Sequence, residues 1–166
     1  MSKRLGVVVS AAGVLALVMI MIVPAMAGNG DDTVTLLLAE KFADDEHSVT
    51  EIDAPPQGVS AGDYFVFGHD PLYNRSLTKR LGHIDGECFL VDVNPAGSAG
   101  TYECNVSFYL PGGLLTTRGA ISFAGEDVEI LDHAITGGTG KYKTAHGVEK
   151  AELGPEGVLY TFRIIL

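Results

Sequence analysis

Few of the reactive side chains in this 166-residue sequence stand at spacings that define a known chemistry. The run Ile135-Thr136-Gly137-Gly138-Thr139-Gly140-Lys141-Tyr142 invites comparison with a phosphate loop. That loop needs a Gly five residues before the glycine of its Gly-Lys pair, and a Ser or Thr after the Lys. Ile135 and Tyr142 occupy those places here. A dinucleotide turn needs a following helix in a parallel unit, and the surrounding pattern is antiparallel strand. The run therefore reads as a tight connection in which glycine admits positive φ or close backbone packing. His47, His69, His83, His133 and His146 are scattered, with no two-His helical spacing and no Cys–His cluster, so no metal site is expected. A Gly-x-Ser-x-Gly elbow is absent. The acidic runs Asp31-Asp32 and Asp44-Asp45-Glu46 lack the spacing of a calcium loop and read as solvated turns. Asn74-Arg75-Ser76 and Asn105-Val106-Ser107 match the glycosylation pattern, which matters only in a host that glycosylates.

The elements that would position any site are strands. Tyr102, Cys104, Val106, Phe108 and Leu110 alternate with Glu103, Asn105 and Ser107. Val158, Tyr160, Phe162, Ile164 and Leu166 share one face, and so do Leu115, Gly119, Ile121 and Phe123. This period of two marks half-buried strands. The pattern predicts strands near 33–42, 47–53, 63–69, 81–93, 101–110, 114–123, 126–135, 145–153 and 157–166. Turn residues such as Pro55-Pro56-Gln57-Gly58 and Pro111-Gly112-Gly113 separate them. Short strands at regular spacing suggest an all-β sandwich or barrel, and closure, which removes exposed sheet edges, favours the antiparallel barrel.

The N-terminus carries an export pattern. Lys3 and Arg4 precede an uncharged run from Leu5 to Val23, and Ala25-Met26-Ala27 supplies the small-x-small cleavage site. A signal peptide over 1–27, a loose leader over 28–32 and one folded domain over 33–166 are expected. The apolar run is also long enough for an uncleaved anchor. Cleavage would leave a secreted chain with 9 basic against 21 acidic residues and no stable membrane association. That acidity argues against nucleic-acid binding.

In an exported chain Cys88 and Cys104 suggest one disulfide. If Asp92 faces Gly100 across the hairpin, Cys88 faces Cys104 at bridging distance. Two free thiols are the alternative.

A series of motifs then carries a family resemblance. Gly62-Asp-Tyr-Phe-Val-Phe67, Leu77-Thr-Lys-Arg-Leu-Gly82, Gly86-Glu-Cys-Phe-Leu-Val91, Tyr102-Glu-Cys-Asn-Val-Ser-Phe-Tyr109, Ala134-Ile-Thr-Gly-Gly-Thr-Gly-Lys-Tyr142, Ala145-His-Gly147 and Tyr160-Thr-Phe162 occur in one order. The series resembles the allene oxide cyclase/dirigent barrel superfamily, and most closely its bacterial secreted branch. The resemblance implies an eight-stranded antiparallel barrel with an apolar cavity. It also implies work without metal or organic cofactor on a hydrophobic small molecule. Plant relatives form trimers, so a homo-oligomer, trimer or dimer, is expected.

Site residues follow by position. The resemblance places a catalytic carboxylate at Glu40 and a second polar catalytic position at His69, or at Asp70 with a one-residue gap. Substrate contacts fall at Tyr64, Tyr102, Phe42 and Ile121. Phe42 and Ile121 stand where the plant cyclases carry Asn and Tyr, and a disulfide would deny Cys88 a thiol role. Three readings follow: a cofactor-free isomerase or cyclase, a dirigent-like binder of reactive phenolics, and a secreted structural barrel.

Overall fold

The structure is a computed structural model that describes residues 33–42 and 48–166. The expected export segment 1–27, the leader 28–32 and the acidic run 44–46 lie outside the described residues. The strands are β1 (Thr33–Lys41), β2 (Val49–Ile52), β3 (Tyr64–Asn74), β4 (Arg80–Val93), β5 (Ala99–Leu110), β6 (Gly113–Ala124), β7 (Asp127–Ile130), β8 (His133–Gly138), β9 (His146–Gly154) and β10 (Gly157–Ile165).

Neighbours run β1-β10-β9-β8-β6-β5-β4-β3, and β3 returns to β1 through Leu38↔Asn74, Ala39↔Tyr73 and Glu40↔Leu72. Eight strands thus close an antiparallel barrel, as the family resemblance implies. β2 adds to the N-terminal half of β3, and β7 to the C-terminal half of β6. Both extra strands lie toward the end of the barrel where β1, β5 and β9 place Phe42, Tyr102 and Leu153. The opposite end is packed. Leu38, Phe108, Leu115, Phe162 and Ile164 fill it, and Tyr142 and Ala145 from the glycine-rich connection are buried there. That connection makes backbone-on-backbone contact: a Cβ on Gly140 would stand 2.1 Å from the carbonyl oxygen of Gly112, and its φ is +59°.

Among the irregularities that interrupt the alternation, three bear on the site or the disulfide, and each moves side chains to the other face. β3 is longer than predicted. A bulge between Phe67 and Asp70 shifts its inward set from Phe65 and Phe67 to Asp70 and Leu72. The strand expected over 126–135 is broken. β7 pairs β6 with Ile121↔Ile130, whereas β8 pairs it with Arg118↔Ala134, a slip of one residue across Leu131 and Asp132. The third lies between Leu90 and Asp92. Cys88 does face Cys104, but the hairpin end pairs Val93 with Gly100 and Asp92 with Thr101. The expected Asp92–Gly100 register is therefore one residue out, and the bulge restores it before the cysteines.

Candidate functional site

Inside the open half of the barrel lies a cavity of about 480 Å³, within the range of small-molecule sites. Its walls are mostly apolar. Phe65 and Phe67 come from β3, Tyr102 and Phe108 from β5, and Ile121 and Phe123 from β6. Tyr102 meets the Phe65 ring edge-on at 5.2 Å and tilts against Phe123 at 5.7 Å. Phe42, Val49, Val128 and Leu153 form an exposed apolar rim. The disulfide Cys88–Cys104, with Cα atoms 4.1 Å apart, is built into the wall. No thiol therefore faces the cavity from either cysteine.

The polar groups come from adjacent strands. Glu40 on β1 is buried and lines the cavity. The Tyr160 hydroxyl on β10 donates to Glu40 Oε2 at 2.6 Å. Tyr160 sits opposite Leu38, two residues from Glu40, so this is a diagonal contact on one inner face. Burial pushes the Tyr160 phenol well above its ordinary pKa, and the carboxylates of Glu40, Glu149 and Asp70 push the same way. Glu149 on β9 and His133 on β8 also line the cavity, and both are buried. They are directly opposed in the ladder, and His133 Nδ1 lies 3.0 Å from Glu149 Oε2. Thr117 Oγ1 donates to that same oxygen at 3.2 Å. Among the described residues no group of three or more His, Cys, Asp or Glu side chains is arranged to hold a metal ion.

The raised phenol has a measurable consequence. Below pH 10 Tyr160 is neutral in both the folded and unfolded chain, and its contribution is fully present. Above that value the unfolded phenol ionises first, so stability should fall as pH rises. Unfolding free energies measured from about pH 8 to 11 should show this decline, and Tyr160→Phe should reduce it. An unchanged slope in the variant would contradict the assignment.

The expected site residues divide. Glu40, Phe42, Tyr102 and Ile121 line the cavity. His69 does not. Its side chain is 84% exposed, it sits at φ +62° in the β3 bulge, and its ring stacks on His83 at 5.0 Å on the outside. The bulge turns Asp70 inward instead, fully buried and accepting the Ser48 backbone N–H at 2.9 Å. The catalytic position expected at His69 is corrected on that ground. Tyr64 alternates with the inward Phe65 and stacks on Phe89 at 5.2 Å, away from the cavity lining. The substrate contact expected there is corrected as well. His133 and Glu149 were missing from the expected set. The available signal was Gly119, a gap in the inward face of β6, where a Cβ would stand 1.8 Å from His133 Cδ2.

The allene oxide cyclase family model matches residues 34–165, and the chain belongs to that family. Among solved structures it is similar to a pyocyanin demethylase, with 25% identity and a TM-score of 0.62 over 79% of this chain and 99% of that one. It also shares its fold with the Diels–Alderase AbmU from Streptomyces koyangensis, at 14% identity and a TM-score of 0.55 over 81% of this chain and 68% of that one. A third is the pterocarpan synthase dirigent protein GePTS1, at 15% identity and a TM-score of 0.53 over 85% and 91% of the two chains.

Proposed function

We propose that this barrel is a cofactor-free isomerase or cyclase of a hydrophobic small molecule. The observation that carries the reading is the Glu40 carboxylate, buried on a mostly apolar cavity wall and held by the Tyr160 hydroxyl at 2.6 Å. A fixed carboxylate in a dry site interacts strongly with positive charge that develops on a bound molecule. The aromatic walls restrict that molecule to few conformers, which lowers the entropic part of a ring closure. Tyr160 keeps the carboxylate aimed and supplies a proton next to it. Kinship with a family named for a cyclase, and a shared fold with a Diels–Alderase, support the choice of reaction class. We take the protein to act after export, a reading that its disulfide and N-terminal pattern favour.

The test is to expose the purified protein to metabolite extracts, recover bound molecules by mass spectrometry, and follow each for conversion to an isomer of equal mass. Glu40→Gln should retain binding and lower turnover by about 10²–10³, the usual effect of removing one preorganised electrostatic group. Bound molecules recovered unchanged, or a Glu40→Gln variant as active as the parent, would overturn the reading. The former outcome would favour a dirigent-like binder.

A further inference from the structure

The chain carries 21 acidic against 11 basic residues, yet the two signs are not interspersed. Arg118 and Lys150, on the side of the barrel, are paired with Glu103 at 2.8 Å and Glu152 at 3.2 Å. Arg75 and Lys79 in the β3–β4 connection, and Lys141 and Lys143 in the glycine-rich β8–β9 connection, are exposed. Among the described residues no carboxylate lies within ion-pair distance of these four. Both connections lie at the packed end of the barrel. The segments that form this end, 33–36, 72–83, 107–116, 136–148 and 162–165, contain no Asp or Glu. Exposed acids collect instead around the mouth, at Glu51, Asp53, Asp92, Glu126, Asp127 and Glu156. Solubility alone asks for mixed signs, not for this separation. Between the basic connections runs an apolar groove lined by Leu81, Tyr109, Leu110, Pro111 and Leu114. Pro111 is exposed, and so is Tyr109, at 40%. Gly112 brings a cation to the groove, since a Cβ there would stand 2.8 Å from Lys141 Cδ. Lys141 Nζ lies 4.8 Å from the centre of the Tyr142 ring.

We propose that the packed end of the barrel docks reversibly on an anionic lipid bilayer. Arg75, Lys79, Lys141 and Lys143 meet the headgroup phosphates, and Tyr109, Leu110 and Pro111 reach the edge of the acyl region. Charge complementarity selects an anionic partner. The apolar groove between the cations selects a bilayer over a soluble polyanion, which would reward the cations and leave the tyrosine, leucine and proline in water. The acidity of the whole chain opposes this contact only weakly. The nine residues of β10, at ~3.3 Å each and tilted by ~40°, separate the two ends by about 20 Å. That is more than two Debye lengths of ~8 Å at physiological salt, so the bilayer meets the field of the near end. The same separation fixes the orientation: the acidic mouth points away from the lipid, and the cavity stays open to solution. The contact is electrostatic and released by salt, unlike the anchor that an uncleaved apolar run would supply. It does not depend on the reaction class assigned to the cavity.

The experiment sediments the protein, as recovered after export, with vesicles of phosphatidylcholine alone or with one-third phosphatidylglycerol. Asp31 and Asp32, which precede β1 and lie outside the described residues, are thereby included in the test. The parent should bind the phosphatidylglycerol vesicles at about 0.1 M salt, release them at about 1 M, and ignore phosphatidylcholine. A cation near an anionic bilayer contributes about fivefold in partitioning. Lys79→Gln with Lys143→Gln should therefore weaken binding about 25-fold, while Lys150→Gln, on the side of the barrel, should leave it unchanged. All these positions are exposed, so unfolding midpoints should match the parent and separate lost docking from lost folding. Equal binding to both kinds of vesicle would overturn the proposal, as would binding that the lysine pair does not affect. Salt-sensitive self-association without vesicle binding would give the basic end to the acidic mouth of a second copy and overturn the bilayer. Retention on soluble polyphosphate without vesicle binding would overturn it in favour of a polymer.

Discussion

Phe162→Ala is expected to lower the unfolding free energy by about 3–5 kcal/mol, the usual cost of deleting a buried phenylalanine ring. Phe162 has no exposed surface. Its ring meets Phe108 nearly perpendicular, at 4.8 Å and 87°, and Phe108 in turn meets Tyr160 at 5.3 Å and 77°. Phe108 and Tyr160 line the cavity and Phe162 does not, so Phe162 is the layer beneath its floor. Removing that ring costs the transfer free energy of its atoms and leaves a void that ladder-bonded strands on both sides can close only in part. Perpendicular aromatic contacts add to the loss. Denaturant unfolding at neutral pH measures the effect. A loss below about 1 kcal/mol would mean that Phe108 drops into the space, and the cavity would then deepen. The same variant therefore links stability to the site, because the floor positions the Tyr160 hydroxyl that holds Glu40.

The barrel itself was legible because three of its strands obey the period of two without interruption. The inward sets on β5, β6 and β10, from Tyr102 to Phe108, Leu115 to Phe123 and Val158 to Ile164, are those the alternation gives. Glu40 was legible through family motifs, since its strand alone reads as a run of apolar residues ending in a charge. What stayed hidden lies beyond a bulge or a slip. Strict alternation from Phe65 and Phe67 continues to His69, and the bulge delivers Asp70 instead. Strict alternation from Val128 and Ile130 continues to Asp132, and the slip delivers His133. A single inserted residue carries almost no composition signal, yet it exchanges the faces of everything after it. Glu149 was hidden for a different reason. Between Val148 and Lys150 it looks like one charge of a solvated strand, and only the opposing His133 shows why it points inward. Gly119 offered the one local sign of both: an inward position without a side chain, on a strand otherwise filled with bulky groups, implies that another residue takes the space.

Replacing both cysteines, Cys88→Ala with Cys104→Ala, should cost about 3 kcal/mol, the chain-entropy estimate for a loop near 15 residues; the bridged positions are 16 apart. Two features of the hairpin shape this expectation. The cysteines oppose each other in a ladder that runs from His83↔Tyr109 to Val93↔Gly100, so the strands already hold much of the local geometry. The bulge after Leu90, however, permits a competing register one residue out along the whole hairpin. In that register Cys104 would face away from Cys88, and Tyr102 and Phe108 would leave the cavity wall for solvent. The bridge excludes this alternative in the unfolded chain as well as in the folded one. The variant should therefore unfold at lower denaturant and should also bind apolar ligands more weakly, although neither alanine removes a polar contact from the cavity. Adding a thiol reductant to the parent protein should reproduce the first effect. A double variant that keeps the parent's unfolding midpoint would assign the register to the strand pairs alone. The wall of sulfur beside Tyr102 and Phe108 would then matter only as packing.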